Sequence, residues 1–135
     1  MFLNIFIDLV YNKKGEPLKD KNMSTIFTKI INKEIPADIL FENERVLAFR
    51  DISPKAPVHY LVIPKKEIKT LNDIEDSDKD LIGELFTVAK DLAKQEGIAE
   101  NGYRTVFNCN EHGAQTVYHL HLHVLGGRQM DWPPG

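Results

Sequence analysis

Residues 118–127 read YHLHLHVLGG, a stretch with histidine at every second position. Side chains on a β-strand alternate between its two faces, so His119, His121 and His123 would share one face of a strand. The leucines between them suit the opposite, core-facing side. A helix would scatter the three histidines around its circumference. The spacing therefore predicts a strand with a row of imidazoles, about 7 Å apart between alternate residues.

Three uses of such a row are consistent with the spacing alone. It could be the polar, solvent-facing side of an edge strand, although threonine, lysine and glutamate are more common there. It could bind a metal ion, because neutral imidazole is the commonest protein metal ligand. It could also carry out nucleophilic catalysis, in which one imidazole attacks while its neighbours orient it and handle charge.

The composition is that of an ordinary globular domain. The chain has 135 residues, 42% hydrophobic and 27% charged, which is enough for one domain with its own core. Its 17 basic and 20 acidic residues give a formal net charge of -3, so we expect no binding of nucleic acid. The single cysteine, Cys109, cannot form an internal disulfide, and this predicts a cytoplasmic protein.

The first 22 residues differ in composition from the rest. Residues 1–11 (MFLNIFIDLVY) are apolar, but they lack the basic start and the small-residue cleavage site of a secretion signal and are too short to span a bilayer. Residues 12–22 (NKKGEPLKDKN) are charged and turn-forming, as in a linker. We therefore predict a flexible extension over residues 1–22, a domain over residues 23–135, and no membrane partner.

Hydrophobic periodicity predicts an α+β fold. A short helix after residue 24 precedes three strands, a long helix with one apolar face follows the acidic residues 76–78, and a hairpin ends the domain. The strand segments cover residues 39–41, 46–51, 58–63 and 103–110, and the histidine stretch is the fifth. This order predicts an antiparallel sheet with helices on one face and the histidines on the open one.

A fourth histidine, His59, alternates with apolar residues in the segment VHYLVI of residues 58–63. By itself it would be an ordinary, partly exposed strand histidine. If its strand pairs with the histidine strand, His59 lies beside the row.

Several motifs resemble the histidine triad superfamily. The stretch TVYHLHLHV of residues 116–124 matches the pattern His-x-His-x-His followed by two apolar residues. A narrower match, to the histidine triad nucleotide-binding branch of purine nucleoside phosphoramidases, comes from IFTKIINKEIPA, ISPKAPVHYLVIPKK, GGRQM and WPPG. The resemblance covers residues 24–135. A final histidine in the triad argues against the nucleotidyltransferase branch, which usually has glutamine there.

This resemblance implies hydrolysis of adenosine or guanosine 5'-phosphoramidates to the nucleoside monophosphate and an amine. His121 would attack the phosphorus and form a nucleotidyl-histidine intermediate, which water then hydrolyses. His119 would orient the nucleophile, and His59 would complete the relay that holds its tautomer. His123 and Thr116 would donate to the phosphoryl oxygens. The chemistry needs no cofactor, and we expect no metal ion because the strand offers no carboxylate partner.

The resemblance also implies a purine nucleotide pocket, in which Asp51 would accept hydrogen bonds from the ribose hydroxyls. The apolar slot for the purine would consist of Ile26, Phe27, Ile30, Phe49 and Ile52. Asn108 and Ala114 would lie near the phosphate, and Ser53 would be a further nucleotide-binding residue. An isoleucine on a helix is more often a core residue, and each apolar assignment stands against that simpler interpretation.

The resemblance implies a homodimer that joins two sheets, with Asp131 and Trp132 lining the leaving-group pocket of the other protomer. Three residues depart from the family pattern. Thr116 stands where serine is usual, Ala114 replaces a glycine near the phosphate, and Asp131 stands where a larger or basic residue is common. The alternative to an enzyme is a nucleotide-binding regulatory or scaffold module with incidental hydrolysis.

Overall fold

The computed structural model describes residues 25–135, so the predicted extension over residues 1–22 lies outside the described residues. Within them the chain forms two α-helices and five strands. In chain order these are α1 (Ile26–Ile31), β1 (Ile39–Glu42), β2 (Val46–Arg50), β3 (Val58–Pro64), α2 (Lys79–Gln95), β4 (Tyr103–Phe107) and β5 (Leu122–Gly126). Two 3-10 turns, Leu71–Asp73 and Asp76–Asp78, precede α2. The predicted α+β class and element order are confirmed.

The five strands form one antiparallel sheet in the order β1-β2-β3-β5-β4. In the pairing of β3 with β5, Leu61 lies opposite His123 and His59 lies opposite Leu125. Paired residues share a face of an antiparallel sheet, and alternate residues of one strand share it too. His59 and His123 are therefore diagonal neighbours on one face.

The two faces of the sheet carry two separate apolar cores. The long helix α2 packs Leu85, Ala89 and Leu92 against one face, which includes Val62 and Val124. Burial of α2 is accompanied by a hydrogen bond from the Tyr60 hydroxyl to the Ala89 carbonyl oxygen, at 2.8 Å. Helix α2 is the longer of the two described helices, and neither is long and apolar enough to cross a membrane.

The short helix α1 packs on the opposite face, which was predicted to be open. Its Ile26, Phe27 and Ile30 lie against Leu47, Phe49, Leu61, Ile63 and Val117. Thr25 caps the helix, because its side-chain oxygen accepts hydrogen bonds from the amides of Phe27 and Thr28. The predicted open face is therefore covered in part, because the apolar stripe of α1 has to be buried and is buried on the side that bears the histidines.

The histidine strand is shorter than predicted, because β5 begins only at Leu122. The chain before it makes hydrogen bonds to the segment after β3 instead of to a neighbouring strand. The Leu120 backbone amide donates to the Ile68 carbonyl oxygen at 2.7 Å, and the side-chain Nε2 of the buried Gln115 donates to the Lys69 carbonyl oxygen at 2.8 Å. Strand β4 likewise ends at Phe107, so residues 108–121 form a long connection.

Candidate active site

Four histidines lie on the face of the sheet that α1 covers. The His121 and His123 ring centroids are 4.9 Å apart, and those of His59 and His123 are 5.2 Å apart. The Phe27 ring of α1 contacts His121 edge-on, with a centroid distance of 5.0 Å. His119, His121 and His59 are buried, with at most 6% of their surface exposed. The predicted row therefore exists, but Phe27 of α1 packs over His119 and His121, and only His123 is partly exposed.

The His121 ring has a fixed tautomer. Its Nδ1 lies 2.7 Å from the backbone carbonyl oxygen of His119, which can only accept a hydrogen bond, so Nδ1 bears the ring proton. The lone pair is then on Nε2. Burial is the main cause that lowers the pKa of His121 to about 3, and the nearby His123 adds to it. At neutral pH His121 is an uncharged base, as a nucleophilic histidine has to be.

His119 takes part in the site through its backbone. Its own ring is buried, and Nε2 donates to the Pro64 carbonyl oxygen at 2.7 Å. The His119 Nδ1 has no hydrogen-bond partner within residues 25–135. Burial lowers the pKa of His119, so this ring is also neutral. The ring anchors the backbone whose carbonyl group orients His121.

The tautomers of His59 and His123 are fixed together. The Lys55 amide donates to His59 Nδ1 at 3.0 Å, so the proton of the neutral His59 ring is on Nε2. His59 Nε2 lies 2.9 Å from His123 Nδ1 and donates to it. The remaining proton of His123 is therefore on Nε2, as a donor. We call this series, Lys55 amide to His59 to His123, the histidine relay. It ends at His123 and not, as predicted, at His121, whose tautomer is held by the His119 carbonyl oxygen.

Burial keeps the histidine relay neutral. It is the main cause that lowers the pKa of His59, although the Asp51 carboxylate opposes the shift. Burial also lowers the pKa of His123 to about 4, and the neighbouring His59 lowers it further. Both rings are therefore uncharged at neutral pH, and each has its proton on Nε2.

A carboxylate accompanies the histidines, contrary to the sequence argument against a metal site. The Asp51 amide donates to the His59 carbonyl oxygen at 3.0 Å, and an Asp51 carboxylate oxygen lies 3.5 Å from His59 Nε2. Asp51, His59 and His123 each present a possible ligand atom within 4.8 Å of the others. The spacing of residues along the histidine strand could not reveal this carboxylate, because Asp51 lies at the end of a different strand, β2.

The donor set of this group does not fit a metal ion in its present hydrogen-bonding state. The Lys55 amide occupies His59 Nδ1, so His59 Nε2 bears a proton and has no lone pair for an ion. Metal binding requires the lone pair of a neutral imidazole. An ion could bind only after the bond between His59 and His123 is broken. The geometry favours a relay over a ligand set.

Two adjoining cavities open beside the histidines. One of about 380 Å³ includes the polar side chains of His121, His123 and Thr116 among apolar walls such as Val106 and Leu125, and we call it the polar cavity. The other, of about 250 Å³, is lined mainly by apolar side chains. Asp51 and Leu61 line both cavities, so the two spaces meet at Asp51. The arrangement places a compact apolar space next to a polar space that contains an unprotonated imidazole nitrogen.

Most residues singled out in the sequence line one of these cavities. Those on the polar cavity are Phe27, Asp51, Ser53, His59, Asn108, Thr116, His121 and His123. Those on the apolar cavity are Ile30, Phe49, Asp51 and Ile52. Lys55 was not predicted from the sequence, because its relevant group is a backbone amide. Ala37 and Asp38, which line the apolar cavity, were not predicted either.

The other singled-out residues lie away from the cavity walls. Ile26 is 3% exposed and belongs to the core beneath α1. Ala114 lies in the connection before the histidines, with a φ of +60°, a backbone conformation that glycine adopts more readily. The backbone of Asp131 is tied to β4 by Arg104, and Trp132 is 82% exposed. Their predicted role concerns a second protomer.

Comparison with known proteins agrees with this geometry. A family model described as "Scavenger mRNA decapping enzyme C-term binding" matches residues 24–132. A purine nucleoside phosphoramidase of Escherichia coli strain K12 is 54% identical over 106 residues, which cover 78% of this chain and 89% of that protein. The chain belongs to the histidine triad family.

Solved structures support the same assignment. A HIT family hydrolase from Legionella pneumophila is 56% identical to this chain, with a TM-score of 0.81, and the match covers 83% of this chain and all of that one. A histidine triad protein from Clostridium difficile is 43% identical, with a TM-score of 0.76, and the match covers 78% of this chain and 92% of that one. This histidine triad protein is accordingly a hydrolase.

The pKa of His121 makes the folded state sensitive to acid. In the unfolded chain this ring has a pKa near 6.5, whereas in the folded protein the value is about 3. Between these values the unfolded state binds the extra proton, so the free energy of unfolding falls as pH falls. Between pH 7 and pH 5, the free energy of unfolding should therefore fall by about 2 kcal/mol less in His121→Asn than in the wild type. Urea denaturation at both pH values measures this.

The matched control for this experiment is His112→Asn, at an exposed histidine. It should keep the pH dependence of the wild type. If His121→Asn and the wild type lose the same stability between pH 7 and pH 5, the neutral, buried state of His121 is disproved.

Hydrolase activity should survive removal of metal ions. The bound proton on His59 Nε2 leaves no preformed metal site in the group of Asp51, His59 and His123. Dialysis against EDTA followed by assay in metal-free buffer should give the rate of the untreated protein. Loss of activity on chelation, with recovery on adding zinc alone, would establish a metal-dependent enzyme instead.

Proposed function

We propose that this chain is a purine nucleoside phosphoramidase that hydrolyses adenosine and guanosine 5'-phosphoramidates. The observation that carries the proposal is the His121 ring, whose Nδ1 is held by the His119 carbonyl oxygen while Nε2 keeps its lone pair. The name of the Escherichia coli relative supports the same activity. The reaction would yield a nucleoside monophosphate and an amine.

The apolar cavity is the proposed site of the purine base. Ile30 and Phe49 are among its walls, and apolar and aromatic side chains suit a flat heterocycle. Asp51 lies where this cavity meets the polar one. One of its oxygens already accepts from the Ser53 amide at 2.7 Å, and a carboxylate has further lone pairs that can accept from ribose hydroxyls. The base, sugar and phosphate would then follow one another from the apolar to the polar cavity.

The phosphate group would lie in the polar cavity beside His121. His121 Nε2 attacks phosphorus as the P–N bond to the amine breaks, and the departing amine takes up one proton from solvent. Water then attacks the nucleotidyl-histidine, the bond from phosphorus to Nε2 breaks, and one proton returns to solvent. His123 Nε2 and the Thr116 hydroxyl line this cavity and would donate to the phosphoryl oxygens during both steps.

Replacement of His121 by alanine should abolish turnover and spare binding. The variant lacks the nucleophile, so hydrolysis of an adenosine or guanosine phosphoramidate should fall at least about 100-fold. The dissociation constant for the nucleoside monophosphate, measured by calorimetry, should change by less than about threefold, because the base and ribose contacts remain. Acid-quenched mass spectrometry of the wild type should detect a nucleotidyl adduct on His121.

His112→Ala serves as the matched control, because it removes an exposed histidine that lines neither cavity. Its turnover should equal that of the wild type. If His121→Ala retains more than a few per cent of wild-type turnover, the nucleophile assignment fails. If the wild type binds the monophosphate but does not turn over, the regulatory or scaffold alternative is supported.

The proposed enzyme is a homodimer that joins two sheets through β4. Strand β4 is an edge of the sheet, and unpaired edge groups favour pairing with another strand. Beside it Phe86 is 43% exposed, and its ring stacks edge-on against Phe107 at 5.8 Å. Exposed aromatic rings of this kind are common at interfaces. An antiparallel pairing of two β4 strands would cover both features.

The C-terminal tail is positioned to reach a partner across that edge. Arg104 of β4 donates to the Asp131 carbonyl oxygen at 2.7 Å, which ties the tail to the edge strand. Trp132, at 82% exposure, makes little contact with its own protomer. A large exposed aromatic side chain favours burial in a complex. These observations support a place for Asp131 and Trp132 in the partner's leaving-group pocket.

Deletion of residues 130–135 should change the preference among amine leaving groups more than it weakens binding of the nucleoside monophosphate. The reason is that the tail would contact the amine and not the nucleotide. Ratios of kcat/KM for phosphoramidates with small and with bulky amines measure the preference, and light scattering measures the mass. A monomer at micromolar concentration contradicts the trans arrangement. A dimer with unchanged preference contradicts the role of the tail.

A further inference from the structure

We propose that Arg128 is a positioning residue of the histidine relay. Its guanidinium group holds the backbone carbonyl of Lys55 and thereby keeps the Lys55 amide on His59 Nδ1. The effect of Arg128 on hydrolysis rests on the function proposed above, whereas its effect on the His59 tautomer does not.

The contacts of Arg128 are those of a forked donor on a single acceptor. Arg128 follows β5, and its Nε and Nη2 lie 3.3 and 3.0 Å from the Lys55 carbonyl oxygen. Its Nη1 donates to the Gln129 carbonyl oxygen at 3.2 Å. A charged, planar fork restrains its acceptor more than a single neutral donor does. Arg128 therefore connects the end of β5 to the loop of residues 53–57.

The backbone at Gly127 makes this connection possible. Gly127 has a φ of +89°, a conformation that favours glycine. A Cβ at this position would lie 2.9 Å from Pro57 Cβ, closer than two carbon atoms can approach without a shift. The end of β5 and the loop are thus in direct contact, and the next residue, Arg128, emerges beside the Lys55 carbonyl.

The other described hydrogen bonds of this loop are local. The Asp51 carboxylate accepts from the Ser53 amide at 2.7 Å, and Lys55 Nζ donates to the Ser53 hydroxyl at 3.1 Å. They shape the first half of the loop but do not join it to β5. The strand that bears His123 is β5, so Arg128 links the donor at one end of the relay to the strand at the other end.

The Lys55 amide determines which histidine of the relay donates the hydrogen bond between His59 and His123. With this N–H on His59 Nδ1, His59 donates from Nε2 and His123 keeps its proton on Nε2. If the amide moves away, Nδ1 of His59 is free to bear the proton, and His59 Nε2 becomes an acceptor. His123 then has to donate from Nδ1 and loses the Nε2 proton that would face the phosphoryl group. Displacement of one loop amide would reverse both tautomers.

The test replaces Arg128 with glutamine and measures the tautomers of His59 and His123 directly. Two-bond proton–nitrogen NMR spectra of the imidazole rings report which nitrogen bears the proton. In the wild type they should show His59 Nδ1 without a proton, and in Arg128→Gln a mixture of both tautomers. Turnover of an adenosine phosphoramidate should fall about tenfold, the loss typical of one hydrogen bond to a charged group. The dissociation constant for the monophosphate should stay within about twofold.

Arg45→Gln is the matched control, because Arg45 is an exposed arginine whose Nε pairs with Glu84 at 3.3 Å, away from the loop. Its NMR spectrum and turnover should match those of the wild type. If Arg128→Gln does not fold, Arg128→Lys keeps the charge, lacks the fork, and should show the same changes to a smaller degree.

The proposal is overturned if a folded Arg128 variant keeps the His59 tautomer of the wild type, whatever its turnover. A changed tautomer with unchanged turnover overturns the link between the relay and the rate. If the wild type hydrolyses no phosphoramidate at all, the proposed function fails, and the NMR comparison of Arg128→Gln with the wild type still decides the positioning role.

Discussion

The hydrogen bond from His121 Nδ1 to the His119 carbonyl oxygen is the interaction on which the site depends. A carbonyl oxygen cannot donate, so the bond assigns the ring proton to Nδ1 and the lone pair to Nε2 without help from a carboxylate. The backbone that supplies this carbonyl is held in turn by the His119 ring on Pro64 and by the Leu120 amide on Ile68. The His121 ring is therefore oriented by main-chain geometry.

Burial provides the second condition, an uncharged ring. Helix α1 covers the histidine face, and Phe27 lies edge-on against His121. The loss of solvent is the main cause that lowers the pKa of His121, His123 and His59 alike. The same covering stabilises the second apolar core of the sheet. A short helix thus serves packing and the burial of His121 together.

In this arrangement a neutral hydrogen-bond donor, His123, lies next to a neutral acceptor, His121. Their different roles do not require a charged residue. His121 presents a lone pair because its Nδ1 donates, and His123 presents an N–H because its Nδ1 accepts. The two rings are 4.9 Å apart between centroids. Identical side chains acquire opposite chemical roles from the hydrogen bonds made by their Nδ1 atoms.

Local pattern was enough to predict much of this protein. The alternation of histidine with leucine indicated the sidedness of residues 119–123, and the apolar stripes indicated both helices. The motifs of the histidine triad family located Asp51, Asn108 and Thr116, which all line the polar cavity. The predicted fold class and element order are confirmed, because side-chain periodicity is a property of neighbouring residues.

Other features depend on segments that are distant in the chain. Nothing local indicates that α1 packs on the histidine face, that Ile26 enters the core and not a cavity wall, or that the Leu120 amide bonds to Ile68 after β3. The Asp51 carboxylate reaches His59 only because β2 and β3 pair, and Lys55 matters through a backbone amide that has no side-chain signature. The residue types of the site follow from the sequence alone. Their protonation states depend on the fold, because burial keeps the rings neutral and the folded backbone sets the partner of each ring nitrogen, even where that partner is as near in the chain as the His119 carbonyl oxygen is to His121.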